Sequence, residues 1–243
     1  MAATSAAQDY LAAIYRLSRG GSPARTAAIA QRLRVAGGSV SGMLRHLEGQ
    51  GLVTHARGSA GLTPAGERVA LQLIRRHRVL ETYLVTTLRY SWDLVHEEAD
   101  RLEHAVSDAL IDRMADALGA PAVDPHGAPI PAPGSVFHEE QCSSLAELAV
   151  GEPVLVRRVE AAEPAMLRYL AALGIAPGVE VVVVERAPFG GPVRLRVADA
   201  EHLVGIAVTR AIRADPVAKA GGTSRTPRRG RRAERSHFRG ESP

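Results

Sequence analysis

The sequence predicts a mainly α-helical chain that ends in a small β-barrel. Over roughly the first 120 residues, apolar side chains recur every three or four positions, which is the period of amphipathic helices. Residues 121–136, PAVDPHGAPIPAPGSV, are rich in proline and glycine and are typical of an extended linker. From residue 153 onward, valine-rich and alternating segments indicate short strands. With 243 residues, the chain is long enough for two or three small domains.

Three helices are expected in the first part of the chain, each preceded or begun by a small polar residue that can cap it. The second and third helices are separated by the short turn Ala36-Gly37-Gly38, a spacing typical of helix-turn-helix domains. The predicted helices and their caps are residues 4–17 with Ser5, residues 26–35 with Thr26, and residues 39–53 with Ser39.

A hairpin is predicted directly after the third helix. Residues 52–55 alternate as a strand, residues 57–61 indicate a tight turn, and a returning strand starts at Leu62. Residues 1–65 are therefore expected to form a winged helix-turn-helix, although any small three-helix domain with a hairpin would share this order. In a winged helix, the third helix and the hairpin contact DNA bases and phosphates. The expected DNA-binding residues are Ser39, Ser41, Arg45 and Arg57.

Two long amphipathic helices follow the hairpin. The first begins at Thr63 and runs past Leu84, and the second is predicted over residues 93–118, DLVHEEADRLEHAVSDALIDRMADAL. Paired long helices after a winged helix commonly form a dimer interface, so residues 66–120 are expected to be a helical dimerisation domain. A symmetric homodimer would also match a palindromic double-stranded DNA operator.

The C-terminal third is predicted to be an SH3-like barrel, residues 145–215, reached through a linker, residues 121–144. Its predicted strands and its single inserted helix are residues 153–159, 164–174 (the helix), 179–184, 193–197 and 203–207. The remaining residues, 216–243, form a basic tail that is expected to be disordered. The tail contains eight lysine and arginine residues and two glutamates, so it carries a net charge of +6 and the rest of the chain carries −2.

Composition restricts the cellular context that we expect. There is no apolar run near the ~18 residues that a membrane-spanning helix needs, and the N-terminus lacks an export signal. The single cysteine, Cys142, excludes an internal disulfide, and without a nearby histidine it is interpreted as structural or incidental. These features favour a cytoplasmic protein.

Histidine and acidic residues recur at helical spacing on the two long helices. Asp100, Glu103 and His104 stand at i, i+3 and i+4, and His96 lies one turn before Asp100. Each such residue alone could belong to a solvated face. As a set, however, the carboxylates would repel one another unless a cation lies among them, and helical bundles commonly hold such ligand sets. The remaining members of the set are His77 and Glu81, at i and i+4 on the first long helix, and Asp9 on the first predicted helix.

Several motifs in the same order resemble the diphtheria toxin repressor family of metal-dependent regulators, over essentially residues 5–215. The resemblance implies two metal sites, one built from Asp9, Asp100, Glu103 and His104, and another from His77, Glu81 and His96. Glu163 or His126 would complete the second site. The matching segments are Asp9-Tyr10-Leu11, Ile14-Tyr15, Val40-Ser41, Leu47-Glu48, Gly51-Leu52-Val53, Leu62-Thr63-Pro64-Ala65-Gly66, Arg76-His77-Arg78, Glu81, Val95-His96-Glu97-Glu98-Ala99, Glu103-His104, Ser107-Asp108 and residues 124–131.

The resemblance also bears on the identity of the metal. Iron-responsive members place a methionine and a cysteine where this chain has Asp9 and Asp100. Two further carboxylates in place of sulfur make a hard, oxygen-rich ligand set, which favours Mn(II) over Fe(II) as the corepressor. Some manganese-responsive members carry an additional acidic residue where Ala12 stands here. By resemblance, the expected function is repression of metal-homeostasis genes, and uptake genes in particular.

Two other functions are compatible with parts of the pattern. A winged-helix regulator that senses a small organic ligand would bind DNA without metal, and its carboxylates would be merely solvated. A metallohydrolase could also use a His/Asp/Glu cluster, but the sequence has no HExxH or nucleophile motif. We therefore expect a regulator and not an enzyme.

In the third helix, Gly38 and Gly42 replace a proline and a DNA-facing glutamine of better-known members of the family that this chain resembles. A different operator sequence is therefore expected.

Overall fold

The computed structural model describes residues 3–18, 22–134, 137, 142–161 and 163–217. Along these residues it contains a winged helix-turn-helix, a helical domain and an antiparallel sheet domain, which confirms the predicted fold class. None of the described helices is long and apolar enough to cross a membrane. The predicted basic tail lies, from residue 218, outside the described residues, as do residues 135–136 and 138–141 of the predicted linker.

The winged helix-turn-helix is built from three helices and a small sheet. Its core is formed by apolar residues that are fully buried on each helix, such as Leu11, Ile29 and Leu44. The elements are α1 (Ser5–Leu17), β1 (Ala24–Arg25), α2 (Thr26–Leu33), α3 (Gly37–Gly49), β2 (Val53–Ala56) and β3 (Ser59–Leu62).

The helix starts differ from the sequence prediction. Thr4, rather than Ser5, caps α1, because its hydroxyl oxygen accepts a hydrogen bond from the Ala7 amide at 3.3 Å. Thr26 is the first residue of α2 and not its cap; its hydroxyl donates to the carbonyl oxygen of Gly58 in the hairpin. A long-range contact therefore uses the group that local sequence reasoning assigned to capping.

Helix α3 begins two residues before the predicted cap. Ala36 is its cap residue, Gly37 is its first residue, and no side chain caps it, so Ser39 lies within its first turn. The turn between β2 and β3 is also shorter than the predicted turn over residues 57–61. Arg57 and Gly58 both have positive φ values, 51° and 75°, which is the pattern of a two-residue hairpin turn. The residues that were assigned to the end of the turn instead extend β3.

The helical domain contains α4 (Pro64–Thr86), α5 (Val95–Leu102) and α6 (Asp108–Ala117). The single helix predicted over residues 93–118 is wrong, because α5 ends at Leu102 and α6 starts with a new cap. The Ser107 hydroxyl oxygen accepts from the Leu110 amide at 3.3 Å. The intervening turn removes Glu103 and His104 from the helix on which the sequence pattern placed them.

Helix α4 connects the two helical layers. Its first half packs against the winged helix through Ala70 and, with Ala12 of α1, through Leu73 and Ile74. Its second half packs against α5 and α6 through Val79 and Leu80. Helix α4 therefore packs against the winged helix-turn-helix before His77 and against the rest of the helical domain after it.

The C-terminal domain contains β4 (Ser143–Ser144), β5 (Pro153–Val159), α7 (Pro164–Ala172), β6 (Glu180–Arg186), β7 (Val193–Val197), β8 (Ala200–Val204), α8 (Ile206–Ala211) and β9 (Ile212–Pro216). Its strands form a six-stranded antiparallel sheet in the order β4-β9-β5-β6-β7-β8. Strands β4 and β9 were not predicted. The predicted strand over residues 203–207 is wrong at its end, because the strand stops at Val204 and a helix begins at Ile206.

The first part of the predicted linker is folded, which corrects the expectation of an extended segment. Asp124 accepts hydrogen bonds from the backbone amides of His126 and Ala128, each at 2.9 Å, and all three residues are buried. Gly127 has a φ of +85°, and a Cβ there would lie 2.0 Å from the carbonyl oxygen of Arg157 in β5. Only glycine fits this approach, which holds the turn against the sheet domain.

Candidate metal centre

A cluster of histidine and acidic side chains lies between α4 and α5, buried on the side of α4 and open to solvent at Asp100 of α5. His77 and Glu81 are one turn apart on α4, and each is no more than 3% exposed. Nε2 of His77 lies 3.1 Å from Oε1 of Glu81 and 2.9 Å from Nδ1 of His96. From α5, Oδ1 of Asp100 comes within 3.3 Å of Nδ1 of His77. We call these four residues, His77, Glu81, His96 and Asp100, the α4 cluster.

A second cluster joins the winged helix-turn-helix to the helical domain. It consists of Asp9 from α1 together with Glu103 and His104 from the turn after α5, and we call it the α1 cluster. Nε2 of His104 lies 2.8 Å from Oδ1 of Asp9 and 3.6 Å from Oε1 of Glu103. Two domains thus contribute donor atoms to one group, and Asp9 is the contribution of the domain that is expected to bind DNA.

Glu103 connects the two clusters. Its side chain is buried, with Oε1 facing the α1 cluster and Oε2 only 2.7 Å from Nδ1 of His77. One carboxylate therefore bridges the groups contributed by α1, α4 and α5. This position follows from the early end of α5, since Glu103 caps that helix and is not one of its interior residues.

A third group lies where the folded linker meets α4. Nδ1 of His126 is 3.6 Å from Oε2 of Glu81, while its Nε2–H donates to the carbonyl oxygen of Trp92 at 2.8 Å. Asp124 belongs to the same group, but one of its oxygens accepts two backbone amides and the other faces Arg78 at 3.7 Å. Asp124 thus stabilises the turn, whereas Nδ1 of His126 is directed toward the α4 cluster.

Burial and neighbouring charges shift the pKa values of several residues in these clusters. Burial by itself would lower the pKa of His77, but the adjacent Glu81 and Glu103 outweigh it and raise this pKa to about 10. Burial would raise the pKa of Glu81, yet the same His77 and the nearby His126 hold it well below its usual range. Burial raises the pKa of Asp9, and His104 offsets this only in part. A cation at these positions would replace the protons as the source of positive charge.

Most of the sequence-predicted ligands are brought together. Asp9, Glu103 and His104 meet as one group, and His77, Glu81 and His96 meet as another. Asp100, which was assigned to the first set, is instead grouped with His77 and His96, because α5 ends before Glu103. His126 adjoins Glu81, whereas Glu163 is exposed at the start of α7 and stands outside the three groups that the described residues form.

Sequence reasoning missed two residues that contact these groups. Asp124 lies in a segment interpreted as an extended linker, and its only signal was the resemblance over residues 124–131. Gln8 precedes Asp9 and places its carbonyl oxygen 2.9 Å from Nδ1 of His104. Nothing in helical periodicity singles out Gln8, because a glutamine next to a ligand is an ordinary surface residue until its partner is known.

The residues expected to contact DNA are accessible to different degrees. Ser39, Arg45 and Arg57 are exposed, and Ser41 is half-buried, with its hydroxyl donating to the Gly37 carbonyl oxygen at 3.2 Å. The Arg45 guanidinium is held along the helix by a 3.3 Å hydrogen bond to the Ser41 carbonyl oxygen. A Cβ at Gly37, Gly38 or Gly42 would meet no atom within 4 Å, so the α3 backbone itself faces open space at these three positions.

Family models match three consecutive parts of the chain. Residues 3–60 match the iron dependent repressor, N-terminal DNA binding domain. Residues 63–132 match the iron dependent repressor, metal binding and dimerisation domain, and residues 143–215 match the FeoA domain. The three matches follow one another in the order of the winged helix, the helical domain and the sheet domain.

Curated relatives and solved structures agree with these matches. The iron-dependent repressor IdeR of Mycobacterium tuberculosis is 32% identical over 197 residues, which is 75% of this chain and 84% of the relative. The diphtheria toxin repressor of Corynebacterium diphtheriae is 38% identical over 100 residues, 41% of this chain and 44% of the relative.

Among solved structures, a manganese-dependent transcriptional repressor in complex with manganese superposes on this chain with a TM-score of 0.81 at 38% identity. The match covers 87% of this chain and 100% of the repressor chain. The manganese regulator SloR superposes with a TM-score of 0.74 at 31% identity, covering 87% and 98%. The relatives are repressors, so this chain is a regulator and not an enzyme. The chain belongs to the diphtheria toxin repressor family of metal-dependent transcriptional repressors.

Proposed function

We propose that this protein is a Mn(II)-activated repressor that binds a palindromic operator as a homodimer and controls metal-uptake genes in the cytoplasm. The observation that carries the proposal is the α1 cluster, in which Asp9 of the DNA-binding domain meets Glu103 and His104 of the helical domain. A ligand at this position would couple metal concentration to the placement of the winged helix.

The donor chemistry fits a hard divalent cation. The two clusters offer carboxylate oxygens and imidazole nitrogens and contain no sulfur. Such a donor set suits Mn(II), although Mn(II) stands at the weak end of the affinity series and selection must also come from geometry. Burial raises the pKa of Asp9, and His104 offsets this only in part, so the protein's own groups do not fully compensate its negative charge. A cation would supply that compensation.

Two sets of residues would hold the metal. The first is Asp9, Glu103 and His104. The second is His77, Glu81 and His96, with Asp100 beside them. We propose that His126, and not Glu163, completes the second set, since Nδ1 of His126 already lies 3.6 Å from Glu81.

Fe(II) is the second candidate for the corepressor. Its support is the iron-dependent repressor relative, which is 32% identical to this chain. The carboxylates Asp9 and Asp100 argue for Mn(II), because sulfur donors at their positions would favour iron. The manganese complex among the solved structures is 38% identical to this chain, which supports the same choice.

The switch would act by fixing one arrangement of two domains. A bound divalent cation supplies positive charge that neutralises the carboxylates of the clusters. Asp9, Glu103 and His104 would then hold α1 against the turn after α5, so that the two winged helices of a dimer keep one spacing. Ligand binding shifts such an equilibrium only through its preference for one arrangement. Helix α3 of each protomer would then meet successive major grooves, with Ser39, Ser41 and Arg45 near the bases and Arg57 near a phosphate.

The proposal is tested by fluorescence anisotropy with a labelled fragment of the protein's own promoter and of the nearest metal-transporter promoter. Metal-stripped protein is titrated with Mn(II), or anaerobically with Fe(II), at fixed salt. We expect binding only with metal, at lower concentrations of Mn(II), and its loss in Asp9→Ala and His104→Ala. Glu97→Gln, an exposed change on α5, is the control that should bind normally. Tight binding by stripped protein, unaffected by metal, would refute the metal switch.

A further inference from the structure

Gln8 contacts the side of the His104 ring that faces away from the other members of the α1 cluster. Its carbonyl oxygen lies 2.9 Å from Nδ1 of His104, whereas Nε2 of the same ring lies 2.8 Å from Asp9. We propose that Gln8 is a positioning residue, which accepts the Nδ1–H of His104 and thereby keeps Nε2 as the metal-facing nitrogen. The inference rests on the proposed metal site.

The geometry explains how one helix reaches both sides of one ring. Consecutive residues of an α-helix point about 100° apart. The side chains of Gln8 and Asp9 therefore diverge from α1, and His104 inserts between them from the turn after α5. The sequence pattern suggested that α5 continues through residue 104. In the structure α5 ends at Leu102, and the turn that follows it presents the His104 ring to α1.

The chemical consequence follows from the two nitrogens of imidazole. A neutral ring has one donor nitrogen and one acceptor nitrogen, and the hydrogen bond at one side decides which nitrogen is free. The Gln8 carbonyl oxygen is an acceptor, so it selects the form in which Nδ1 carries the proton. The lone pair of Nε2 is then directed at the space bounded by Asp9 and Glu103. Residues that orient a ligating histidine in this way typically change metal affinity about 10–100-fold when replaced.

Gln8 can be replaced without removing a side chain from the apolar core. The side chain of Gln8 is half-buried and not part of the apolar core of the winged helix. Alanine at position 8 keeps a strong helix former on α1, so folding should be preserved. The loss would be confined to the orientation of one ring, which a calorimetric and a spectroscopic measurement can both detect.

The experiment compares wild-type full-length protein with Gln8→Ala, Gln8→Glu and the control Gln31→Ala, an exposed glutamine of α2. Mn(II) affinity is measured by calorimetry. In parallel, isotope-labelled imidazole nitrogens are observed by NMR after loading with an NMR-active isotope of Cd(II), which is diamagnetic. We expect metal coupling at Nε2 of His104 and a slowly exchanging Nδ1–H in the wild type.

The expected results separate this inference from the metal site itself. Gln8→Ala should bind Mn(II) roughly 10–100-fold more weakly and lose the protected Nδ1–H, while Gln8→Glu restores both and Gln31→Ala changes neither. Coupling at Nδ1, or an unchanged affinity and an unchanged Nδ1–H in Gln8→Ala, would overturn the role of Gln8 while leaving the site intact. Metal binding without any coupling to His104 would overturn both the inference and the proposed ligand set.

Discussion

Replacing Glu103 by glutamine removes one negative charge from the point where the two clusters meet and leaves the shape of the side chain. In the metal-free protein, the glutamine oxygen can still accept the Nδ1–H of His77, which now lies 2.7 Å from Oε2 of Glu103. Because the adjacent Glu81 also favours the protonated form of His77, a hydrogen bond between two charged groups becomes one from a charged donor to a neutral acceptor, so we expect the free energy of unfolding to fall by only about 1–2 kcal/mol. The effect on metal binding should be larger.

The magnitude follows from the charge that Glu103 brings to both groups. A carboxylate and a unit positive charge about 4 Å apart attract each other by about 4 kcal/mol at an effective dielectric of 20. Desolvation offsets part of this attraction. If about 2.7 kcal/mol remains, the affinity for Mn(II) falls about 100-fold. A free Mn(II) concentration about 100 times the wild-type Kd then only half-saturates the variant and stabilises it by about 0.4 kcal/mol, against about 2.7 kcal/mol for the wild type.

Thermal unfolding with and without Mn(II) measures this difference. For a chain of this size, 1 kcal/mol corresponds to roughly 2–4 °C in Tm, so Mn(II) should raise the wild-type Tm by roughly 5–10 °C and that of Glu103→Gln by about 1–2 °C. Glu97→Gln, on the exposed face of α5, should behave like the wild type. A full metal-induced shift in Glu103→Gln would refute the conclusion that this carboxylate links the two clusters in metal binding.

Three further predictions concern the scaffold. A Cβ at Gly66 would lie 1.9 Å from a backbone carbonyl oxygen, so Gly66→Ala should destabilise the protein by about 3 kcal/mol in urea unfolding. Gly42 faces open space, so Gly42→Ala should stabilise the protein by roughly 0.5–1 kcal/mol. Equal effects of the two substitutions would contradict this account. Because the pKa of His77 is raised from 6.5 to about 10, the stability that its ion pairs give the metal-free protein is complete below pH 6.5 and is lost as the pH rises through about 10. Urea unfolding should show this loss in the wild type but not in His77→Gln, and an unchanged pH profile in that variant would disprove it. Finally, Arg168→Gln removes the 2.9 Å ion pair between α7 and Asp93 and leaves the hydrogen bond from Ser91 to Asp93, so it should cost at most about 1 kcal/mol, visible as faster amide exchange in α7 but not in α1. Unchanged exchange in α7 would mean that the pair does not hold the sheet domain in place.

The helical spacing was informative where a helix is long and its faces differ. His77 and Glu81 could be paired from the sequence because i and i+4 residues share a face of any helix, and α4 is continuous from Pro64 to Thr86. The same reasoning placed Asp100, Glu103 and His104 on one face of one helix, whereas the structure keeps Glu103 and His104 together with Asp9 and groups Asp100 with His77 and His96. Local propensity favours a helix throughout residues 93–118, but Ser107 starts a second helix, and the turn before it redirects Glu103 and His104.

The linker shows a second limit of sequence reasoning. A segment rich in proline and glycine has few side chains that signal burial, so composition favours an extended chain. In the structure, the carboxylate of Asp124 satisfies two backbone amides, and the missing side chain of Gly127 allows contact with β5. His126 reaches Glu81 only because this turn is folded.

By itself, the sequence determined the order of the domains, the periodic apolar faces of the helices and the chemical type of the candidate ligands. These properties depend on residue identity and on spacing along one element. Only the tertiary structure decided that Asp100 joins His77, that Glu103 bridges the clusters and that Gln8 and Asp9 enclose one ring. Those contacts join residues far apart in sequence, and they depend on where a helix ends and how two elements approach, which the packing of the whole chain determines.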